Sequence, residues 1–255
     1  MHGRRTILEC RNVEKHFGGL AAVKKLSFEI YENEITGLIG PNGAGKTTLF
    51  NLITGVLKPD GGSIIFDGNE ITKSPAHQIS QIGIARTFQL IRPFSDMSVT
   101  ENAILGGIFG GSKSREIARK DALELLTFMN LEDCSDMMVT NLTPFNKKKV
   151  ELASVLNTNP KLILLDEFIA GLTQSEMNDA IDLIERIRNE LEITVFWIEH
   201  VMKAIMSVAE RIIVIHYGEK IAEGIPSEIA KDRTVIEAYL GSEYAKEGAD
   251  SAKSE

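Results

Sequence analysis

The sequence predicts an α/β fold with a mainly parallel core sheet, an antiparallel β subdomain and an inserted helical subdomain. Three observations predict it. Strand-like apolar runs alternate with amphipathic helical stretches, a pattern that implies parallel strands joined by right-handed crossovers. The run KLILLDE (161–167) is apolar up to its two acids, as in a strand buried on both faces. Between about 95 and 160 the pattern becomes wholly helical, in the middle of the α/β alternation.

Taken in order, ILECRNVEKHF (7–17) and VKKLSFEIYENE (23–34) alternate like strands around the turn Gly18-Gly19. ITGLIG (35–40) is a short apolar strand. TTLFNLITGVL (47–57) has helical spacing and stops at the breaker cluster 58–62. SIIFDGNEI (63–71) reads as a hairpin arm turning at Asp67-Gly68, and IGIARTFQ (82–89) as the next strand. Ser98 and Glu101 form a capping pattern that opens a helix. GGIFGGS (106–112) reads as a mobile loop, then 114–131 and 147–157 read as helices. After KLILLDE come a helix over 175–192, the buried strand TVFWIEH (194–200), a helix over 201–210 and a strand–turn–strand over 211–224. Residues 225–241 finish the fold, and the polar tail 242–255 is expected to be disordered.

The 255 residues suffice for a large core without staples, and 43% hydrophobic with 25% charged residues is ordinary for a globular protein. No apolar run approaches the ~20 residues of a membrane helix, and the first residues turn polar too soon for a signal peptide. A cytoplasmic protein is expected. Cys10 and Cys134 lack metal or redox spacing and read as plain reduced thiols. A net charge of −8 argues against nucleic acid as a partner, because phosphate neutralisation needs an excess of Lys and Arg. Lys147, Lys148 and Lys149 form a local basic run, read as a solvated helix face.

The chemistry begins at Gly40, Pro41, Asn42, Gly43, Ala44, Gly45, Lys46, Thr47 and Thr48, which fit GxxxxGK[ST] between a strand and a helix. Such a loop aims backbone N–H groups at phosphate oxygens, and the following helix adds its positive end. Lys46 would bridge the β and γ phosphates of a nucleoside triphosphate, and the Thr47 hydroxyl would ligate Mg²⁺. Asp166 would reach the metal directly or through water. Glu167 would act as the general base on the attacking water. Two more polar residues end strands: Gln89 could orient water and contact Mg²⁺, and His200 could hydrogen-bond the γ-phosphate.

GPNGAGKTT, Gln89, LILLDE and IEH, in this order and with a helical lobe between, resemble the ATPase subunits of ABC transporters, a P-loop NTPase fold. The resemblance covers about residues 6–241, with the helical subdomain at about 95–160. ARTFQLIRPFSDMSVTENA and YGEKIAEGIPSEIAKDRTVIEAYLG resemble the ATPases of branched-chain amino-acid importers. The resemblance implies that Phe17 stacks on adenine and that the surface after Gln89, including 94–99, meets a membrane-spanning permease subunit. It also implies a head-to-tail pair with a second ATPase subunit, identical or different, and a place on the inner face of the cell membrane. Each ATP would lie between one chain's phosphate loop and the other's signature segment.

That segment departs from the family pattern. Thr143, Pro144, Phe145 and Asn146 stand where a glycine-bearing signature is expected, and the Phe145 side chain is expected to crowd the γ-phosphate. Phe168 replaces the proline that usually follows the catalytic glutamate, and Thr173 replaces an Asp or Asn. Export of lipid or lipopolysaccharide, and a nucleotide-gated subunit with little hydrolysis, therefore stay open beside amino-acid import. A soluble ATPase of DNA repair or ribosomes is disfavoured, since no coiled coil or second ATPase domain is present.

Overall fold

Alternation along the first thirty residues produces two long antiparallel strands, β1 (Thr6–Phe17) and β2 (Leu20–Tyr31), with Phe17 opposite Leu20 across the Gly18-Gly19 turn. The computed structural model describes residues 4–87 and 93–240. Along the chain follow β3 (Ile35–Ile39), α1 (Lys46–Ile53), β4 (Gly61–Phe66), β5 (Asn69–Glu70), α2 (Ala76–Gln81) and β6 (Ile84–Arg86). Next come α3 (Val99–Leu105), α4 (Arg115–Phe128), α5 (Pro144–Leu156), β7 (Leu162–Asp166) and α6 (Gln174–Glu190). The chain ends with β8 (Thr194–Ile198), α7 (Met202–Val208), β9 (Arg211–His216), β10 (Glu219–Gly224), α8 (Pro226–Ile229) and α9 (Arg233–Leu240). No helix among the described residues is long and apolar enough to cross a membrane. The tail 242–255 lies outside the described residues.

Two units divide the chain, one of residues 1–53, 57–72 and 196–255, the other of 54–56 and 73–195. In the first, an antiparallel sheet runs β2-β1-β4-β5. The strands of its other sheet lie in the order β10-β9-β3-β8, with β3 parallel to β9 and β10 antiparallel to it. Its core is aromatic at the centre: the buried Phe196 ring sits 5.6 Å from Phe28 and 5.1 Å from Phe50. Cys10 is buried there as a free thiol, and burial pushes its pKa up.

One buried charge cluster secures the base of β3 and β9. Glu34 is 2% exposed and accepts from Arg211 at 2.5 Å, from Thr36 Oγ1 at 2.5 Å and from Arg4 at 3.1 Å. Arg211 also pairs with Glu223 and lies 4.7 Å over the Tyr31 ring. Removing one partner of such a pair leaves a buried charge short of compensation. Arg211→Ala is expected to lower the unfolding free energy by about 3 kcal/mol, measured by urea denaturation; a loss below about 1 kcal/mol would mean that Arg4 and Thr36 suffice.

In the second unit, β6 and β7 run parallel with Ile84 opposite Leu162. α3 begins on the expected box: Glu101 N–H donates to Ser98 Oγ, and Glu101 Oε2 accepts from Ser98 N–H at 2.7 Å. Hydrogen bonds from the Ser98 backbone N–H and side chain hold the Glu101 carboxyl below its usual pKa.

Residues 106–112 are not a loop throughout. Gly106–Gly110 form a π-helical turn that continues α3. The glycines serve close packing: a Cβ on Gly106 would sit 1.7 Å from the Ser154 carbonyl oxygen of α5. Asn157, fully buried, secures the same place by donating to the carbonyls of Ala103 and Ala118, each at 2.9 Å. Two boundaries also differ from expectation. α1 stops at Ile53, before Gly55 with φ +71°, and α5 starts three residues early on the Thr143 cap. α2 was not foreseen, being a single short amphipathic segment.

Candidate functional site

β3 is buried at all five positions, so the chain leaves the core at Gly40 and must turn into α1 within a few residues. Ala44 N–H donates to Pro41 O at 3.1 Å, and Gly218 N–H to Ala44 O at 3.0 Å. Gly45 has φ +104°, and a Cβ there would lie 2.4 Å from the Ala22 carbonyl oxygen; only glycine fits. Asn42, Gly43 and Thr47 are exposed, Pro41 and Thr48 half-buried, and Gly40 and Ala44 buried. Lys46 is 8% exposed, and its ammonium donates to Gly40 O at 2.6 Å and Pro41 O at 3.1 Å. The loop thus curls around a buried cation at the N-terminus of a helix.

The same unit carries His200, Phe17 and a residue the sequence did not single out. His200 lies two residues beyond β8 and is exposed. Glu199, with no exposed surface, accepts from the backbone N–H groups of His200 at 3.1 Å and Val201 at 3.4 Å, which fixes that turn. Phe17 ends β1 with its ring 48% exposed and the Lys15 ammonium 5.8 Å from its centroid. Tyr239 of α9 reaches the phosphate loop. Burial raises its phenol pKa, offset in part by a hydrogen bond from the Gly40 backbone.

The acidic pair belongs to the second unit. Asp166 is the last residue of β7, 2% exposed, and its Oδ2 accepts from Arg86 Nη2 at 2.6 Å. Its Oδ1 has no hydrogen-bond partner among the described residues. Arg86, itself buried on β6, was missed because a cation in a short strand carries no sequence signal beyond its charge. Glu167 is half-buried and has φ +52°, a left-handed conformation that costs a residue with a side chain about 1–3 kcal/mol. Gln89 lies outside the described residues.

Thr143 caps α5, its Oγ1 accepting from Asn146 N–H at 3.2 Å, with Pro144 as the first helical residue. Phe145 does not project from the helix end as expected. Its ring is 7% exposed and packs inside its own unit, 5.4 Å from the Lys149 ammonium, in a cleft shared with Phe128, Asp179 and Arg186. Nor do the three lysines form a solvated face. Lys147 donates to Thr140 O at 3.2 Å, and Lys149 is half-buried on Met129 O at 2.9 Å, its pKa lowered by desolvation. Lys148 is 8% exposed. Thr173 caps α6 in a box with Glu176.

Comparison with known proteins places these features among relatives. Residues 23–170 match the family model "ABC transporter", and 219–245 match "Branched-chain amino acid ATP-binding cassette transporter". The chain is 38% identical over 251 residues to the high-affinity branched-chain amino acid transport ATP-binding protein BraF of Pseudomonas aeruginosa, covering 93% of this chain and 98% of that one. Among solved structures, the ADP conformation of an ATP-binding cassette of an ABC transporter superposes with a TM-score of 0.86 at 32% identity, covering 92% of this chain and 99% of that one. A dimeric bacterial ABC transporter cassette superposes with a TM-score of 0.77 at 27% identity, covering 86% and 99%.

Proposed function

The chain belongs to the ABC transporter family of ATP-hydrolysing cassettes, and from that premise we propose that it powers an importer of branched-chain amino acids. The observation that carries the cargo is the match of 219–245 to the branched-chain cassettes, in a chain 38% identical to BraF along 93% of its length.

In this reading the phosphate loop from Gly40 to Thr48 holds the triphosphate through backbone N–H groups, and Lys46 exchanges its loop carbonyls for the β and γ oxygens. Phe17 offers an exposed ring to the adenine. Among the described residues no cluster of three His, Cys, Asp or Glu could cage a metal. Mg²⁺ suits what is present, because it takes one or two protein oxygens and completes its shell with phosphates and water. In the second unit the buried Asp166 Oδ1, without a hydrogen-bond partner among the described residues, is such an oxygen, and in the first unit Thr47 is exposed. When bound, the ion would neutralise charge developing on the phosphate oxygens. Arg86 holds Oδ2, leaving Oδ1 for the ion or its water. Glu167 takes the proton of the attacking water, Gln89 orients that water, and His200, fixed by Glu199, donates to the γ-phosphate.

ATP joins two cassettes because each site needs the other chain's signature helix, and tighter binding to the closed pair drives the permease. A non-identical partner is favoured here. Pro144 brings no N–H and Phe145 no glycine to the start of α5, so this chain's signature contributes less than it receives. Reconstitution tests the reading. In proteoliposomes, this chain with its permease subunits and a second cassette should drive ATP-dependent leucine uptake that stops when the chain is omitted. Uptake that continues without it, or ATP-driven lipid export in its place, would overturn the assignment.

A further inference from the structure

Lys148 does not belong on the inside of a helix unless something there holds it, since a buried ammonium is costly without a partner. Its Nζ donates to the carbonyl oxygen of Phe168 at 2.8 Å and lies 5.8 Å from the centroid of the Phe168 ring. Phe168 is itself 4% exposed and directly follows Glu167. The peptide that Lys148 grips therefore closes the left-handed turn in which Glu167 sits at φ +52°, a turn also tied by Ala170 N–H to Glu167 O at 3.1 Å. Five residues before Lys148, Thr143 caps the same helix. A single side chain thus connects the helix that starts at the signature segment to the backbone that aims the glutamate.

We propose that Lys148 is a positioning residue for Glu167. Its ammonium holds the Phe168 carbonyl so that the strained turn cannot relax towards ordinary backbone angles and swing the carboxylate away from its water. A displacement of the α5 N-terminus, where a second cassette's nucleotide would press, is passed through Lys148 to the proton acceptor. The proposal rests on the reading of Glu167 as the base. Phe168 brings no ring-fixed φ to this turn, as a proline would, so an outside grip on its carbonyl has more to do.

The test is ATP hydrolysis and ATP binding by the full chain as Lys148→Met, Lys148→Arg, Glu167→Gln and the double variant Lys148→Met/Glu167→Gln. Small misplacement of a catalytic group costs up to about 100-fold in rate. Lys148→Met should lower kcat by roughly 10- to 100-fold, with KM for ATP, calorimetric affinity and melting temperature nearly unchanged. Lys148→Arg, which keeps a cationic donor, should recover most of the rate. In the double variant the rate should equal that of Glu167→Gln, because two residues acting through one event are not additive. Should Lys148→Met fail to fold, Lys148→Gln replaces it with the same expectation. An unchanged kcat in Lys148→Met, a loss shared equally by ATP affinity, or multiplying effects in the double variant would overturn the proposal. Wild-type turnover in Glu167→Gln would instead remove the base assignment, and the proposal with it.

Discussion

Lys46→Ala is expected to weaken ATP binding by roughly 100-fold or more, which corresponds to about 3 kcal/mol. The ammonium is 8% exposed, and two carbonyls of its own loop hold it in the curl. Charge-assisted bonds in such a desolvated place are about twice as strong as neutral ones. Alanine removes the only side-chain cation that the loop Gly40–Thr48 itself carries, while the backbone N–H groups and the α1 N-terminus remain. Some affinity should therefore survive, and calorimetry with ATP and Mg²⁺ measures it. Equal affinity in wild type and Lys46→Ala would remove the phosphate-loop assignment. A loss of folding would show separately as a lowered melting temperature.

Glu167→Gln is expected to keep ATP affinity and to lose turnover by about 10²–10⁴-fold, the usual contribution of a positioned general base. Glutamine matches glutamate in shape and can occupy the same left-handed turn, so binding and folding are left alone. Only the proton acceptor is lost. Single-turnover hydrolysis by the assembled transporter gives the chemical step directly, and an ATP-stabilised pair of cassettes should accumulate. Hydrolysis within about tenfold of wild type would show that another group accepts the proton.

Both expectations rest on local signals. A phosphate loop is recognised by glycines and a lysine at fixed spacing between a strand and a helix, and Asp166-Glu167 by two acids ending an apolar run. Capping is local too, which is why Ser98 and Glu101 mark the start of α3 in sequence and structure alike. Composition misled where a residue's role depends on what packs against it. The glycines of 106–112 suggested mobility, yet Gly106 exists so that a π-helical turn can touch the Ser154 carbonyl, 48 residues away. Phe145 suggested an obstruction at a helix end, yet its ring is buried in its own unit.

By itself, then, the sequence determined the alternation of strands and helices, the phosphate-loop pattern and the acidic strand end. Each of these is written in residue types within about ten positions of one another, the range over which periodicity and spacing act. Only the tertiary structure decided that Arg86 is buried against Asp166, 80 residues away, and that Lys148 is buried on the Phe168 carbonyl, 20 residues away. A lysine or arginine has one sequence signature whether it is solvated or buried. Its fate is set by which carboxylate or carbonyl the fold brings to it, since burial of a cation is tolerated only where such a partner waits.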